Sequence, residues 1–220
     1  MTGAGLNITD AVCIILVGGE SKRMQPLTPD KSKAVFGGKT LLQNVYDRVS
    51  YLFDETLVSA RDERYVSGIS GKIRTIKDAF PGRGPAVGIC SAMAVNKASW
   101  AFVVGCDHPL AAAPLIRHLA ALRHDYDCVI PEANGRLEPL FAFYSKRFSD
   151  MLTAEVQRSG SISITDFIKA LGTRAYIVKE ADIKKHDPAL LSFLDVDTPE
   201  ELKAAEEKYL RQKYEKEHKS

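Results

Sequence analysis

The sequence has few of the residues that mark metal-binding, redox or nucleic-acid-binding proteins. Its four cysteines, Cys13, Cys90, Cys106 and Cys128, form no Cys-x-x-Cys pair, which argues against a zinc knuckle or a thioredoxin-like motif. Cys13 and Cys90 are flanked by apolar residues, so we expect reduced, buried thiols. The 30 basic and 28 acidic residues give a net charge of +2, and this balance gives no reason to expect a nucleic-acid partner.

Long hydrophobic runs are also missing. The longest apolar run, Ala11–Val17, is far shorter than the ~20 residues that a membrane-spanning helix needs. The segment Met1–Asp10 has neither the basic start nor the apolar core of a signal peptide. We therefore expect a cytoplasmic protein with no membrane segment. A chain of 220 residues without internal repeats or a low-complexity linker is expected to form one domain.

Strand-like and helix-like segments alternate along the chain, which predicts an α/β fold. Its central sheet should be mostly parallel, with helices on both faces, in a three-layer, Rossmann-like arrangement. The predicted strands are Ala11–Val17, Glu55–Ser59, Ile73–Ile76, Trp100–Gly105, Cys128–Pro131, Leu140–Tyr144, Ala175–Val178 and Phe193–Val196. The predicted helices are Thr40–Leu52 with Thr40 as N-cap, Pro85–Val95, Pro114–Leu122, Phe148–Val156, Ile164–Leu171 and the segment from Pro199 onward. The charged end, Glu206–Ser220, is expected to be a solvated extension of the last helix.

The loop after the first strand has the composition of a phosphate cradle. Ligands of open α/β sheets bind beyond the carboxyl ends of the strands. Gly18 and Gly19 allow the backbone to approach a phosphate closely, and Ser21, Lys22 and Arg23 add a hydroxyl group and two cations. The alternative for the two glycines is an ordinary tight turn.

Two better-known phosphate motifs do not fit. Gly18-Gly19 is followed by no glycines at the spacing of the dinucleotide fingerprint, which argues against an NAD-dependent oxidoreductase. Gly38-Lys39-Thr40 resembles the end of a P-loop, but Lys33 stands where the first glycine of that motif is required. We therefore interpret residues 38–40 as a turn followed by the start of a helix.

Six segments, in order, match the pattern of one enzyme family over nearly the whole chain. The first, Leu16-Val-Gly-Gly-Glu-Ser-Lys-Arg-Met24, is similar to the L-A-G-G-x-S-x-R-M motif of nucleotidyltransferases. The others are Asp30-Lys31 with Phe36–Leu42, Asp78 with Pro81–Ile89, Gly105–Leu110 with its Cys-Asp-x-Pro, Gly135–Ala142, and Phe193–Leu202 with Thr-Pro-Glu-Glu-Leu. Together they resemble the molybdenum cofactor guanylyltransferases, a MobA-like family within the nucleotidyltransferases.

The resemblance implies a fold, a reaction and a division of the chain. The fold is that of the nucleotide-diphospho-sugar transferases. The reaction transfers GMP from GTP to the phosphate of molybdopterin with Mg²⁺ and releases pyrophosphate. Residues of about 11–131 would form the nucleotide-binding half of one domain spanning 1–220, and residues of about 132–205 the acceptor-binding half. A molybdenum-inserting partner protein is possible in such a pathway, and we expect a monomer or a small homo-oligomer.

The resemblance also assigns roles to individual residues. Asp107, at the carboxyl edge of the sheet, would hold Mg²⁺, although a turn-capping role is the alternative; we expect this carboxylate to be exposed. Asp197 would be a second metal ligand or an acceptor contact, with Asp195 on the same face as its rival. Lys31 or Lys33 would bind the phosphates, beside Arg23 at the leaving pyrophosphate. The remaining nucleotide-binding candidates are Leu16, Gly18, Gly19, Ser21, Asp78 at the guanine, and Gly84 with Pro85 at a helix start.

Departures from the family pattern affect mainly the acceptor. Gln25 replaces a glycine, and the loop Gln25–Pro29 is longer than usual and resembles that of sugar-phosphate nucleotidyltransferases. Glu138 and Asp197 stand where a histidine and an asparagine are common, Arg136 is a candidate for the acceptor phosphate, and His108 is interpreted as a loop residue. Two alternatives therefore remain. The first is a sister nucleotidyltransferase, which would transfer CMP to molybdopterin, GMP to cobinamide phosphate, or a nucleotide to a sugar or polyol phosphate. The second is a silent nucleotide-binding scaffold.

Overall fold

The computed structural model describes residues 7–18, 30–80, 82, 84–160, 162–194, 196 and 198–218. Its strands are β1 Ala11–Val17, β2 Val35–Phe36, β3 Lys39–Thr40, β4 Thr56–Ala60, β5 Arg74–Ile76, β6 Trp100–Gly105, β7 Cys128–Ala133, β8 Arg136–Leu137, β9 Phe141–Ser145 and β10 Ala175–Val178. Its α-helices are α1 Leu41–Val49, α2 Pro85–Ala94, α3 Ala113–Ala121, α4 Lys146–Ser159, α5 Ile164–Ala170, α6 Glu180–Ile183 and α7 Pro199–His218. Short 3₁₀ turns occupy Lys31–Lys33, Ser50–Leu52, Glu63–Val66, Arg123–Asp125, Gly172–Arg174 and Leu191–Phe193.

The main sheet has the strand order β10-β7-β9-β6-β1-β4-β5, and β8 pairs with β7. The strands β6, β1, β4 and β5 are parallel to one another, and so are β7 and β10. Two strands are antiparallel to their neighbours: β8 to β7, and β9, which lies between β6 and β7, to both. The first residue of β9, Phe141, therefore lies opposite Val104, near the carboxyl end of β6.

Helices cover both faces of this sheet, which explains why the central strands are apolar throughout. Alternate residues of β1 enter separate cores: Cys13, Ile15 and Val17 pack on the face of α1 and α3. Their neighbours Val12, Ile14 and Leu16 pack on the face of α2, α4 and α5. Successive side chains of a strand point to opposite faces, so a strand buried on both sides has no polar positions to spare.

A third, smaller core joins the two ends of the chain. Its buried members are Ala34, Phe36, Leu41, Leu110, Leu191, Val196, Leu202 and Ala205. They come from the segment around β2, the loop after β6, the turn before residue 196, and α7. The ring of Tyr209 on α7 lies 5.9 Å from that of Phe36, and Glu206 accepts a hydrogen bond from the amide of Gly37. This third core therefore connects α7 to the segment that carries Lys31.

Most predicted elements are confirmed, with ends that differ by a few residues. Thr40 caps α1 by accepting a hydrogen bond from the amide of Gln43, and residues 37–38 form the turn between β2 and β3 in place of a P-loop. All four cysteines are free and buried, as expected for Cys13 and Cys90. The predicted strand Phe193–Val196 is wrong, because Phe193 ends a 3₁₀ turn and neither Leu194 nor Val196 pairs with the sheet. Among the described residues, no helix has both the length and the apolar character required to cross a membrane.

Candidate active site

Asp107 lies at the carboxyl end of β6, in a loop that backbone hydrogen bonds hold on two sides. The amide of Cys106 donates to the carbonyl of Leu16 at the end of β1, and the amide of Gly105 donates to that of Leu140 ahead of β9. Glycine at position 105 leaves room for the carboxylate, because a Cβ atom there would lie 2.2 Å from Oδ1 of Asp107. These contacts place the carboxylate between the end of β1 and the start of β9, at the edge of the sheet where ligands of α/β folds bind.

The Asp107 carboxylate is half-buried, which corrects the expectation of an exposed one, and its two oxygens have different surroundings. Oδ2 accepts a hydrogen bond of 3.1 Å from Nζ of Lys31. Oδ1 is buried and has no hydrogen-bond partner among the described residues. Burial alone would raise the pKa of Asp107, but electrostatic interactions with His108 and Lys31, together with the hydrogen bond from Lys31, outweigh it and lower that pKa below its usual value. The group is therefore an anion at neutral pH.

An unsatisfied, buried carboxylate oxygen fits a hard cation. Such an atom costs free energy unless it gains a partner, and Mg²⁺ prefers oxygen ligands. Burial raises the pKa of the adjacent Cys106 to about 12, so this thiol remains protonated and is no metal ligand. Within the described part of the chain, no three His, Cys, Asp or Glu side chains come together as a complete metal site. Mg²⁺ typically uses one or two carboxylates together with phosphates and water.

The 3₁₀ turn Lys31–Lys33 separates the two candidate phosphate lysines. Asp30 caps the turn by accepting hydrogen bonds from the amide and hydroxyl of Ser32, at 3.0 and 2.7 Å. Residues two apart in a 3₁₀ turn point in different directions. The side chain of Lys31 is 12% exposed and reaches Asp107, whereas that of Lys33 is 42% exposed and lies 3.9 Å from Asp30. The structure thus brings Lys31, and not Lys33, to the carboxylate.

A cleft of about 230 Å³ opens beside this pair. It is lined by Lys31, Asp107, His108, Glu138, Pro139, Leu140, Leu194 and Val196. One wall of the cleft consists of residues 138–140, which precede β9. The side chain of Tyr144 in β9 holds this wall in place. The hydroxyl of the buried Tyr144 donates a hydrogen bond of 2.7 Å to the carbonyl of Pro139, and the Tyr144 ring stacks on Phe148. The cleft is large enough for a phosphate and part of its substituent.

The other predicted nucleotide-binding residues that the structure describes lie at the same edge of the sheet as Asp107. Leu16 is buried in the core, and Gly18 is exposed, with no atom of the described residues within 4 Å of the place where a Cβ would lie. Gly84, with φ of 101°, precedes Pro85 at the start of α2, and this φ favours glycine. Asp78 follows β5 and is half-buried; burial raises its pKa, and Arg61 partly opposes that effect.

Some predicted residues lie elsewhere or cannot be described. Arg136 is exposed in β8, after the Asn134-Gly135 turn, and is not among the residues that line the cleft. Gly19, Ser21, Arg23, Asp195 and Asp197 lie outside the described residues.

Two residues near the site received no role from the sequence. His108 contacts Asp107, and Arg61 lies at the end of β4, close enough to affect the pKa of Asp78. Their positions in the sequence could have indicated a role, because each residue follows a strand at the edge of the sheet where ligands bind.

Comparisons with known proteins point to one family. The family model described as a MobA-like NTP transferase domain matches residues 13–174. The chain belongs to this family. As a MobA-like protein it is a nucleotidyltransferase, with the mixed, mostly parallel sheet of the nucleotide-diphospho-sugar transferase fold.

Individual relatives resemble the MobA-like chain over almost its full length. It is 31% identical over 199 residues to the molybdenum cofactor guanylyltransferase of Desulfosudis oleivorans, covering 90% of this chain and 95% of the relative. The crystal structure of molybdopterin-guanine dinucleotide biosynthesis protein A from Archaeoglobus fulgidus has a TM-score of 0.75 and 26% identity, covering 91% and 99% of the two chains. The 4-diphosphocytidyl-2C-methyl-D-erythritol synthase of Anaerococcus prevotii, with a TM-score of 0.67, 13% identity and coverage of 91% and 96%, shares the fold.

Proposed function

We propose that this protein transfers GMP from GTP to the phosphate of molybdopterin, with Mg²⁺, and releases pyrophosphate. The observation that carries the proposal is the Lys31–Asp107 pair in the cleft between the loop after β6 and the segment ahead of β9. Family membership supports the nucleotidyl transfer, and the names of the two most similar relatives above support guanine and molybdopterin.

In the proposed reaction, an oxygen of the acceptor phosphate attacks the α-phosphorus of GTP. A new P–O bond forms, the bond from the α-phosphorus to the bridging oxygen breaks, and pyrophosphate leaves with that electron pair. Both reactants are anions, so the protein must neutralise charge and hold the reacting groups in line. Mg²⁺ held by Asp107 would supply positive charge at the phosphates.

The chain's own residues would bind and orient the two substrates. Lys31 donates a hydrogen bond to Asp107, and its ammonium group would also bind a phosphate oxygen of GTP. The loop with Gly18, Gly19, Ser21 and Arg23 would wrap the β- and γ-phosphates, with Arg23 at the leaving pyrophosphate.

The guanine and the acceptor would occupy opposite sides of this centre. Asp78 would accept hydrogen bonds from the N1–H and 2-amino groups of guanine, next to Gly84 and Pro85. On the acceptor side, Asp197 would hold the metal or the acceptor, and Arg136 would reach the acceptor phosphate.

The first test measures the thermal midpoint with Mg²⁺ and GTP, ATP, CTP or UTP. A ligand that binds only the folded state raises the midpoint, so a shift with GTP alone supports the proposal. Pyrophosphate release is then assayed with molybdopterin, cobinamide phosphate or a sugar phosphate as acceptor. Release with another acceptor, or a shift with another nucleotide, would indicate a sister enzyme. No shift with any nucleotide at millimolar concentration would refute the proposal, and a shift with GTP but no pyrophosphate release with any acceptor would indicate a silent nucleotide-binding scaffold.

A further inference from the structure

The ring of His108, next to the proposed metal ligand, is held in one orientation. Its Nδ1 lies 2.7 Å from the carbonyl oxygen of Ser192, and since a carbonyl only accepts hydrogen bonds, Nδ1 carries a proton and donates it. The ring packs edge-to-face against Phe141 and Phe193, with centroids 5.7 and 6.5 Å away, and the side chain is 11% exposed. Packing and this hydrogen bond together fix the direction of the second ring nitrogen, Nε2.

The carbonyl that holds His108 belongs to a rigid segment, residues 187–193, which we name the strap. The buried carboxylate of Asp187 accepts hydrogen bonds of 3.0 and 2.8 Å from the amides of Leu191 and Ser192. The hydroxyl of Ser192 accepts a further one, of 2.9 Å, from the amide of Ala112. The strap is thus fixed from within and attached to the loop that follows Asp107.

The strap touches both sides of the cleft. Through His108 it reaches Asp107, because Nε2 lies 3.7 Å from Oδ1, the carboxylate oxygen that has no hydrogen-bond partner among the described residues. In the other direction the chain continues from Phe193 into Leu194 and Val196, which line the cleft. A distance of 3.7 Å is too long for a hydrogen bond, but it is short enough for the imidazole to restrict the position of the carboxylate.

We propose that His108 is a positioning residue that holds the Asp107 carboxylate against the strap, so that Oδ1 is directed at the metal. The inference rests on the proposed function, because it takes Asp107 as the Mg²⁺ ligand. Partners that orient a metal-binding carboxylate typically change metal affinity by about 10- to 100-fold when they are removed. His108 thereby connects the cleft-lining residues Leu194 and Val196, through the strap, to the metal carboxylate.

Two substitutions separate the two ring nitrogens. In His108→Asn the amide nitrogen replaces Nδ1, so the contact with Ser192 is kept and the group facing Asp107 is lost. In His108→Gln the side-chain amide reaches the position of Nε2, so a group in contact with Oδ1 is kept and the contact with Ser192 is lost. His118→Asn is the matched control, since this partly buried histidine on α3 bonds to Asp182 and does not line the cleft.

The readout is metal-dependent nucleotide binding, which requires no acceptor and no turnover. Calorimetry gives the Kd for GTP in excess Mg²⁺ and in EDTA, and their ratio is the metal enhancement. Because both values come from the same folded protein, a loss of stability does not mimic a change in the ratio. We expect His108→Asn to lower the enhancement by about 10-fold, and His108→Gln and His118→Asn to stay within about 3-fold of the native protein.

The outcomes distinguish the inference from the proposed function. The inference is overturned if His108→Asn keeps the native enhancement, or if His108→Gln loses as much as His108→Asn. Asp107→Asn serves as the reference and should abolish the enhancement. If Asp107→Asn retains it, the metal assignment in the proposed function fails, whatever the His108 variants show.

Discussion

Nζ of Lys31 lies 3.1 Å from Oδ2 of Asp107, although the two residues are 76 positions apart in the chain. The 3₁₀ turn Lys31–Lys33 and the carboxyl end of β6 thus meet at one point on the edge of the sheet. The pair presents a fixed negative charge and a fixed positive charge to the same cleft. A metal-bound triphosphate needs both, since the metal requires an anion and the phosphates require a cation.

Replacing each lysine of this turn by methionine should show which one binds the phosphates. We expect Lys31→Met to lower kcat by about 10²–10³-fold, the usual effect of removing one donor to a developing charge, and to weaken GTP binding. Lys33→Met should have a much smaller effect, because Lys33 points toward Asp30. Pyrophosphate release measures both, and Lys97→Met, an exposed lysine ahead of β6, is the control. Equal losses in the two variants would contradict the assignment.

A methyl group at position 105 should disable the metal site without unfolding the protein. In Gly105→Ala the new Cβ would lie 2.2 Å from Oδ1 of Asp107, so the carboxylate must move. We expect the apparent Mg²⁺ affinity in the transfer assay to fall by about 10-fold or more, while far-UV circular dichroism stays native. Gly88→Ala, where the methyl group would instead crowd Ser59 and Leu16, is the comparison. A Gly105→Ala enzyme with normal Mg²⁺ dependence would show that Asp107 is not the ligand.

Changing Asp78 to asparagine should alter the choice of base. A carboxylate accepts two hydrogen bonds from guanine, whereas an amide accepts one and donates one. Xanthine has a carbonyl oxygen in place of the 2-amino group of guanine and therefore fits the amide. We expect Asp78→Asn to bind GTP about 10- to 100-fold more weakly, the value of a charge-assisted hydrogen bond, and to gain affinity for XTP relative to GTP. Unchanged GTP affinity would remove Asp78 from the base site.

The same substitution has a consequence for stability. Burial raises the pKa of Asp78, so the folded protein binds this proton more tightly than the unfolded chain does. Stability from the protonated form is complete below the unfolded pKa and is lost as the pH rises through the folded pKa. At pH 7 the ionised group therefore destabilises the fold. We expect Asp78→Asn to have a higher Tm than the native protein at pH 7, and this difference should disappear in acid.

Two leucines on α7 offer a matched test of the third core. Leu202 is 6% exposed and packs in this core, whereas Leu210, two turns further along, is 58% exposed. We expect Leu202→Ala to lower the free energy of unfolding by about 2–4 kcal/mol, through lost burial and the cavity that remains. Leu210→Ala should stay within about 0.5 kcal/mol, which denaturant titration can resolve. Similar effects in both variants would mean that α7 does not pack as described.

The sequence predicted well the elements whose apolar pattern is continuous or clearly helical. β6 and β10 match their predicted ranges, and β1 was recognised because a strand buried on both faces has no polar positions. The Thr40 cap followed from local chemistry alone. These features depend on interactions between near neighbours in the chain, so the sequence carries them directly.

What the sequence did not predict depends on distant contacts. Nothing in Phe141–Ser145 indicates that this strand inserts between β6 and β7 in the opposite direction. The segment Phe193–Val196 resembles a strand, but Asp187 draws the amides of Leu191 and Ser192 into a tight turn. His108 received no role for the same reason, because its partner Ser192 lies 84 residues away.

The reversed direction of β9 also has a consequence for how such a protein can diversify. The wall formed by residues 138–140 enters a strand, whereas the loops around Gly18 and Asp107 leave strands, so the two sides of the cleft reach the same edge by opposite routes. The turn from Asn134 to Leu140 can therefore lengthen or change its side chains while the pairing of β1, β4 and β6 stays in register. Related proteins can therefore differ in one substrate through changes in this turn and still bind the same second substrate.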